Sequence, residues 1–215
     1  TEYADINIVD PDASSTAELV YALIGKLNPK ALSLPVCEAL YTGIVTDTGG
    51  FVFSNTTAAA HRIAARLIEC GVDVDKLNRL IYKNTPLDKV RLLGIVLNSL
   101  KMHMKDTIAF LTVSRSMIKQ AGFTDANYDD SSTEGLINYA IDINGVECAA
   151  LFKEIENNKT KVSFRTKTKI DASALATRFG GGGHVRAAGC TIEENLEKSK
   201  VLVLEALKNM LDGMV

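Results

Sequence analysis

No stretch of this sequence is apolar for long enough to cross a bilayer, and no cationic start leads into an apolar signal core. A membrane role is therefore not expected, and the sequence suggests the cytoplasm. Paired cysteines are also missing: Cys37, Cys70, Cys148 and Cys190 are scattered, without a Cys-x-x-Cys motif. That removes the familiar zinc and dithiol patterns and leaves reduced, mostly buried thiols. Neither sign of charge dominates. Lysine and arginine number 24 against 26 acids, a net charge of −2, so long nucleic acids gain no general attraction. Any anion site must be built locally. Internal repeats and low-complexity tracts are absent. The glycine-rich stretch near residue 181 has no Gly-Lys-Ser/Thr ending and no Gly-x-Gly-x-x-Gly spacing. It is thus neither a P-loop nor a dinucleotide fingerprint. Nothing resembles a nucleophile elbow. What remains is a chain of 215 residues, 47% apolar and 23% charged, able to bury a core in one large or two small domains.

Residues 1–103 read as helix-rich. Ser15-Thr16-Ala17-Glu18 has the form of a capping box, followed by Leu19, Val20, Leu23, Ile24 and Leu27 at helical spacing up to Asn28-Pro29. A second helix is predicted over Pro35–Thr42, a third after Asn55-Thr56-Thr57, a fourth after Asp73, and a longer one over Leu87–Met102. The texture changes near Met104. Thr107–Val113, Val146–Ile155 and Lys161–Ile170 read as strands, the last two joined by a hairpin loop. Ser116–Ala121, Glu134–Ile143, Ala172–Phe179 and Asn195–Met210 read as helices. The change places a domain boundary between residues 103 and 104.

Three stretches could carry chemistry. In Gly180-Gly181-Gly182-Gly183-His184, consecutive glycines are costly in backbone entropy and suit a close approach of ligand or backbone. Their N–H groups could form an anion nest, reinforced if a helix starts at His184. The competing reading is a flexible loop. Along Lys161–Ile170, alternation puts Lys161, Ser163, Arg165, Lys167 and Lys169 on one face. That row is either a phosphate-binding surface, with Arg165 as a two-pronged donor, or a solvated outer face. Thr46-Asp47-Thr48-Gly49-Gly50 is either a metal or general-base position or an ordinary aspartate turn. Arg115 is a weaker candidate phosphate contact. His61 and His103 lie on stretches expected to be helical and read as structural or exposed, and Asp129-Asp130 reads as a solvated loop.

Taken together, these segments resemble the DHH-superfamily phosphoesterases. Val45-Thr46-Asp47-Thr48-Gly49-Gly50-Phe51 is similar to the family's Thr-Asp-Thr-Gly motif. Gly181-Gly182-Gly183-His184 with Ala187-Ala188-Gly189 is similar to the Gly-Gly-Gly-His motif of the DHH-associated domain. Val162-Ser163-Phe164-Arg165 and the opening Val9–Glu18 also resemble family segments, in the expected order. The resemblance implies an α/β protein of two domains: a helix-rich remnant of the DHH domain over 1–103 and a DHH-associated domain with a mixed sheet over 104–215. It implies an enzyme with two manganese ions (Mn2+) that hydrolyses short oligonucleotides or removes phosphate from phosphoadenosine phosphate. Asp47 would be a metal ligand and catalytic residue. Gly181, Gly182, Gly183, His184, Arg165 and Arg115 would be substrate contacts. A cyclic dinucleotide phosphodiesterase and a non-catalytic module gripping a nucleotide or RNA end are the alternatives, and a homodimer is compatible with the resemblance. The family's His-x-Asp-x-Asp and Asp-His-His motifs are not in this sequence, and the chain opens on Thr1. The expectation is that a first part carrying them belongs to the intact protein.

Overall fold

The computed structural model describes residues 5–124, 126–156 and 158–212. Packing divides the chain into two compact units that meet at Asn84/Thr85.

The first unit is helical: α1 (Thr16–Leu27), a 3-10 turn (Pro29–Ala31), α2 (Leu34–Asp47), α3 (Ala58–Glu69) and α4 (Val74–Tyr82). Its core joins Cys37, Leu40, Ile44, Ala60, Leu67 and Leu77. Ser15 caps α1 by accepting the Glu18 N–H. The return bond of the box is displaced by one residue, because the Glu18 carboxylate takes the Ser14 N–H at 2.9 Å and hydroxyl at 2.7 Å. Helix α2 runs past the expected end at Thr42. Ile44 and Val45 continue the buried stripe of Cys37, Leu40 and Tyr41 at helical spacing, so burial overrides Gly43 and the β-branched residues.

The second unit begins with α5 (Leu87–Leu97) and continues through β1 (Lys101–His103), β2 (Ile108–Val113) and α6 (Arg115–Ala121). A 3-10 turn (Asp130–Thr133), α7 (Leu136–Ile141), β3 (Cys148–Glu156) and β4 (Lys159–Thr166) follow. The chain closes with α8 (Ala172–Thr177), β5 (Gly182–His184), β6 (Ala187–Ile192) and α9 (Leu196–Asp212). The strands form one mixed sheet in the order β1-β2-β3-β4-β6-β5, in which β2 and β3 run parallel and every other pair antiparallel. One face packs Phe110, Phe152, Phe164 and Val162 against Leu175, Val203 and Leu207 of α8 and α9. The other packs Ala109, Leu111 and Leu151 against Leu92, Ile118 and Ile137. This is the expected α/β architecture with a mixed sheet.

Several expectations change. The units meet upstream of 103/104, because α5 buries Leu92 and Val96 in the same core as Leu111 and Val113 of β2. The helix expected over Leu87–Met102 stops at Leu97, and Lys101–His103 instead pairs with β2, so His103 lies on a strand. No helix starts at His184. Gly182–His184 is a strand paired with Ala187–Gly189 at the sheet edge, so no helix dipole acts there.

The glycine run is shaped by this pairing. A Cβ at Gly181 would fall 2.2 Å from the Gly189 carbonyl oxygen, and one at Gly183 (φ +145°) 2.6 Å from the Ala187 oxygen, whereas one at Gly182 meets nothing within 4 Å. Gly181→Ala and Gly183→Ala are each expected to cost about 2 kcal/mol or more through backbone displacement. Gly182→Ala should stay within about 1 kcal/mol of wild type. Urea unfolding of the three variants checks this order, and equal stabilities would contradict it.

Candidate functional site

The candidate side chains fall into two groups, one in each unit. In the first unit, α2 ends at Asp47, and the chain turns through Gly49, Gly50 and Phe51 with φ of 58°, 71° and 68°. Left-handed angles at three successive residues need support. Thr48, fully buried, supplies it. Its hydroxyl donates to the Ile44 carbonyl at 2.7 Å and accepts the Phe51 N–H at 3.1 Å. Its carbonyl accepts the N–H groups of Val52 and Phe53, and Gly50 N–H donates to Val45. The Asn55 side chain bridges the carbonyls of Asp47 and Ser14 at 3.1 and 2.8 Å. Phe51 stacks on His61, ring centres 4.6 Å apart.

These bonds run through the Thr48 and Asn55 side chains and the backbone, and none uses the Asp47 carboxylate. The Asp47 carboxylate is exposed and makes no hydrogen bond or ion pair among the described residues. It also sits on the last residue of a helix with no basic residue in its last turn. An anion there opposes the helix dipole, costing roughly 0.3–1 kcal/mol, and a cation alongside would reverse that sign. The residue is thus an exposed carboxylate, without a partner among the described residues, at the start of a turn held by its neighbours. It does not make a metal site alone. Among the described residues no three His, Cys, Asp or Glu side chains converge, and one carboxylate does not hold a divalent pair against water.

In the second unit the strand register builds the site. Ala149 lies opposite Arg165, Arg165 opposite Ala187, and Ala187 opposite His184. Directly paired residues share a face, so Arg165 and His184 stand on one side of the sheet with only an alanine between them. Two strand spacings put their Cα atoms about 10 Å apart. The next row is Leu151, Ser163, Gly189 and Gly182, which leaves a floor nearly free of side chains. Beyond it come Lys153, Lys161 and Thr191. The predicted alternation of β4 holds, with Thr160, Val162, Phe164 and Thr166 buried and the cation row turned away from that core.

Arg165 is half-buried. One guanidinium N–H donates to its neighbour Phe164 O at 3.1 Å, and no carboxylate pairs with it among the described residues. His184 is exposed at the end of the edge strand. The turn after it is fixed: the Val185 carbonyl accepts from the Thr166 hydroxyl at 3.1 Å and from Ala172 N–H at 2.8 Å. Ser163, Arg165, Lys161, Lys153, Asp130 and Thr133 line a cavity of about 330 Å³. Lys153 is buried, and it and Lys161 both donate to Asp130, the latter at 3.0 Å. Bonded first to Lys153 and then to Lys161, the Asp130 carboxyl is pulled down to about 2.

The expected nest of consecutive N–H groups is not formed. Gly180 N–H donates to Thr177 O at 3.1 Å and Gly181 N–H to Ala176 O at 3.0 Å, closing the end of α8. Strand β5 pairs on one side only, so alternate N–H groups of Gly182–His184 face away from β6. Of the sequence candidates, the structure brings together Arg165, His184 and Gly182. Gly181 and Gly183 pack against β6. Arg115 lies elsewhere, at the start of α6, with its guanidinium on the Ile155 carbonyl and its N–H on Glu154. Lys153 was not among the sequence candidates, and Asp130, expected in a solvated loop, instead opens the 3-10 turn and pairs with Lys153 and Lys161. A lysine inside the apolar run Cys148–Ile155, in phase with Leu151, was the available signal. The thiols are inert structural groups where buried. Burial pushes Cys37 and Cys190 up to about 11 and Cys148 to about 12, while Cys70 is exposed.

Residues 107–212 match the DHHA1 domain, so the second unit carries the DHH-associated domain of the DHH superfamily, and the chain as a whole is similar to nanoRNase and PAP phosphatase proteins. Particular relatives place it more closely. The bifunctional oligoribonuclease and PAP phosphatase NrnA of Thermus thermophilus is 34% identical over 97% of this chain, which spans 61% of that protein. The protein of the same name from Bacillus subtilis is 31% identical over 95% of this chain and 64% of its own length. The crystal structure of an exopolyphosphatase-related protein from Bacteroides fragilis superposes with a TM-score of 0.82 at 27% identity, covering 99% of this chain and 60% of that one. The chain therefore spans about three fifths of the length of these proteins.

Because its folded pKa lies below the ordinary 3.8, Asp130 stabilises the unit at neutral pH and loses that contribution as pH falls toward 2. The exposed carboxylate limits the effect to roughly 1 kcal/mol or less. A carbon-detected NMR titration should place the Asp130 midpoint near 2 and show it rising toward 3.8 in Lys153→Met. An unchanged midpoint would mean the ion pair is not formed in solution.

Proposed function

We propose that this chain is the substrate-holding part of a metal-dependent phosphoesterase acting on short oligoribonucleotides and on phosphoadenosine phosphate. The observation that carries the reading is the row shared by Arg165 and His184 above the glycine floor. A terminal phosphate set on that floor meets the planar fork of Arg165 on one side and the imidazole of His184 on the other. Charge-assisted bonds of this kind are the strong ones. Held from the first contact, they also neutralise charge that grows on the phosphoryl oxygens during displacement. Gly182 and Gly189 have no side chains to hold the ligand away. The names of the relatives supply the substrate class. Asp47 would give one carboxylate to a manganese site whose other ligands are not among the residues described. Manganese, the cytoplasm and a homodimer remain parts of this proposal that rest on the family resemblance. Among the described residues no helix is long and apolar enough to cross a membrane.

Adenosine monophosphate titrated into the chain by calorimetry should bind weakly. His184→Ala and Arg165→Ala should each weaken it by about tenfold to a hundredfold, the worth of roughly 1.5–3 kcal/mol for a bond to a charged group. Arg165→Lys should also bind less well, since an ammonium lacks the fork. Gly182→Val should melt close to wild type yet bind poorly. Wild-type affinity in all four would refute the phosphate face.

In a longer protein that includes the family's other motifs, Asp47→Asn should lower manganese-dependent turnover at least about a hundredfold with the melting temperature unchanged, since a neutral amide is a poor ligand for a hard cation. The chain described here should give none. Turnover by this chain alone would sink the incomplete-site reading. Binding without turnover in the longer wild type would favour a non-catalytic nucleotide-gripping module.

A further inference from the structure

A larger cavity, of about 870 Å³, lies beside the phosphate face within the second unit. It opens at the carboxyl ends of β2 and β3, the one parallel pair of the sheet, where open α/β sheets characteristically bind ligands. Its walls include Arg115 and Lys119 from α6, Phe123 and Tyr128 from the segment after it, and Lys153 and Lys161 from β3 and β4. Arg115 and Lys119 are four residues apart on α6 and so lie on the same side of that helix. Neither cationic group pairs with a carboxylate among the described residues. The two acids of the cavity are already engaged. Asp130 holds Lys153 and Lys161, and Glu154 accepts the Arg115 backbone N–H. An excess of positive charge is left facing the cavity. Tyr128 and Phe123 meet edge to face at 5.5 Å, the Lys153 ammonium lies 5.9 Å from the Tyr128 ring centre, and the buried Tyr128 hydroxyl has no hydrogen-bond partner among the described residues.

The two cavities share a wall, because Asp130, Lys153 and Lys161 line both. Along β4, Arg165 and Lys161 are four residues apart, or about 13 Å. We propose that this cavity is a second subsite, taking the next phosphates and a base of an oligonucleotide whose end occupies the Arg165–His184 row. Unpaired cations, an aromatic pair and a polar hydroxyl fit a nucleotide better than an apolar ligand. The volume lies within the range of small-molecule sites. The inference rests on the phosphate-face reading above and adds to it a source of preference for chains over single nucleotides.

The test compares adenosine monophosphate with a 5′-phosphorylated adenosine trinucleotide on the full chain. The wild type should bind the trinucleotide about tenfold or more tighter, the gain expected of even one added charge-assisted contact. Lys119→Ala and Lys119→Glu, at an exposed helix position, should remove much of that gain and leave monophosphate affinity unchanged. Lys119→Ala should also flatten the trinucleotide's salt dependence by about 0.7 in the log–log slope. Amide NMR signals of Lys119 and Tyr128 should move with the trinucleotide and stay with the monophosphate. Equal affinity for the two ligands in the wild type, or a trinucleotide gain that survives Lys119→Glu, would overturn the second subsite while leaving the phosphate face standing. Failure of the monophosphate itself to bind would overturn the phosphate face and this inference with it.

Discussion

Register along β4 is the constraint on which the second unit depends. The strand is hydrogen-bonded on both sides, to β3 and to β6, and its side chains alternate between the core and the face that carries Lys161, Ser163 and Arg165. A slip of one residue would send Arg165, Ser163 and Lys161 into the α8/α9 core and turn Val162 and Phe164 outward. Burial of Phe164 and Val162 therefore fixes the position of a guanidinium on the opposite side. The same pairing aligns Gly189 with Ser163 and, through β6, His184 with Arg165. Core packing and the Arg165–His184 row are two readings of one ladder.

The Asp47 loop works by a different device. Among the described residues nothing near Asp47 neutralises it, yet its backbone is held by Thr48, by Asn55 and by the stacking of Phe51 on His61. Shape is assigned to the neighbours and charge to the aspartate. This separation is what lets a carboxylate stay unpaired at the unfavourable end of a helix. It also explains the residue types of the motif. Threonine is small enough to bury with its hydroxyl satisfied, and glycine accepts the left-handed angle at position 49, where any Cβ would strike the Phe53 ring.

Much of this was legible in the sequence where the cause is local. Ser15, Thr57 and Asp73 cap their helices as their side chains suggest, and each bond spans three residues. The alternation of β4 was readable for the same reason. What escaped was decided by distant partners. Gly-Gly-His has no preference for a strand and becomes one only because β6 offers it an edge. Lys101–His103 is captured by β2 in the same way. The Lys153–Asp130 pair joins residues far apart in the chain, and no local pattern announces it. The four motifs identified the superfamily. They did not reveal that Gly181 and Gly183 serve packing while Gly182 alone stays open.

The parallel pairing of β2 with β3 has a consequence for how the molecule is assembled. Ile108 meets Cys148, so this contact closes a loop of about 40 residues holding α6 and α7. Strand β4, by contrast, follows β3 through a short hairpin. Loop closure over the longer distance costs more entropy before any contact rewards it. The hairpin that carries Arg165 and Lys161 can therefore form early and serve as the template on which β2 docks. Arg165 and Lys161 thus belong to the local, quickly closed part of the topology, whereas His184 joins them only when β6 has docked on β4. The cavity at the ends of β2 and β3 comes into being only with the slow, long-range step.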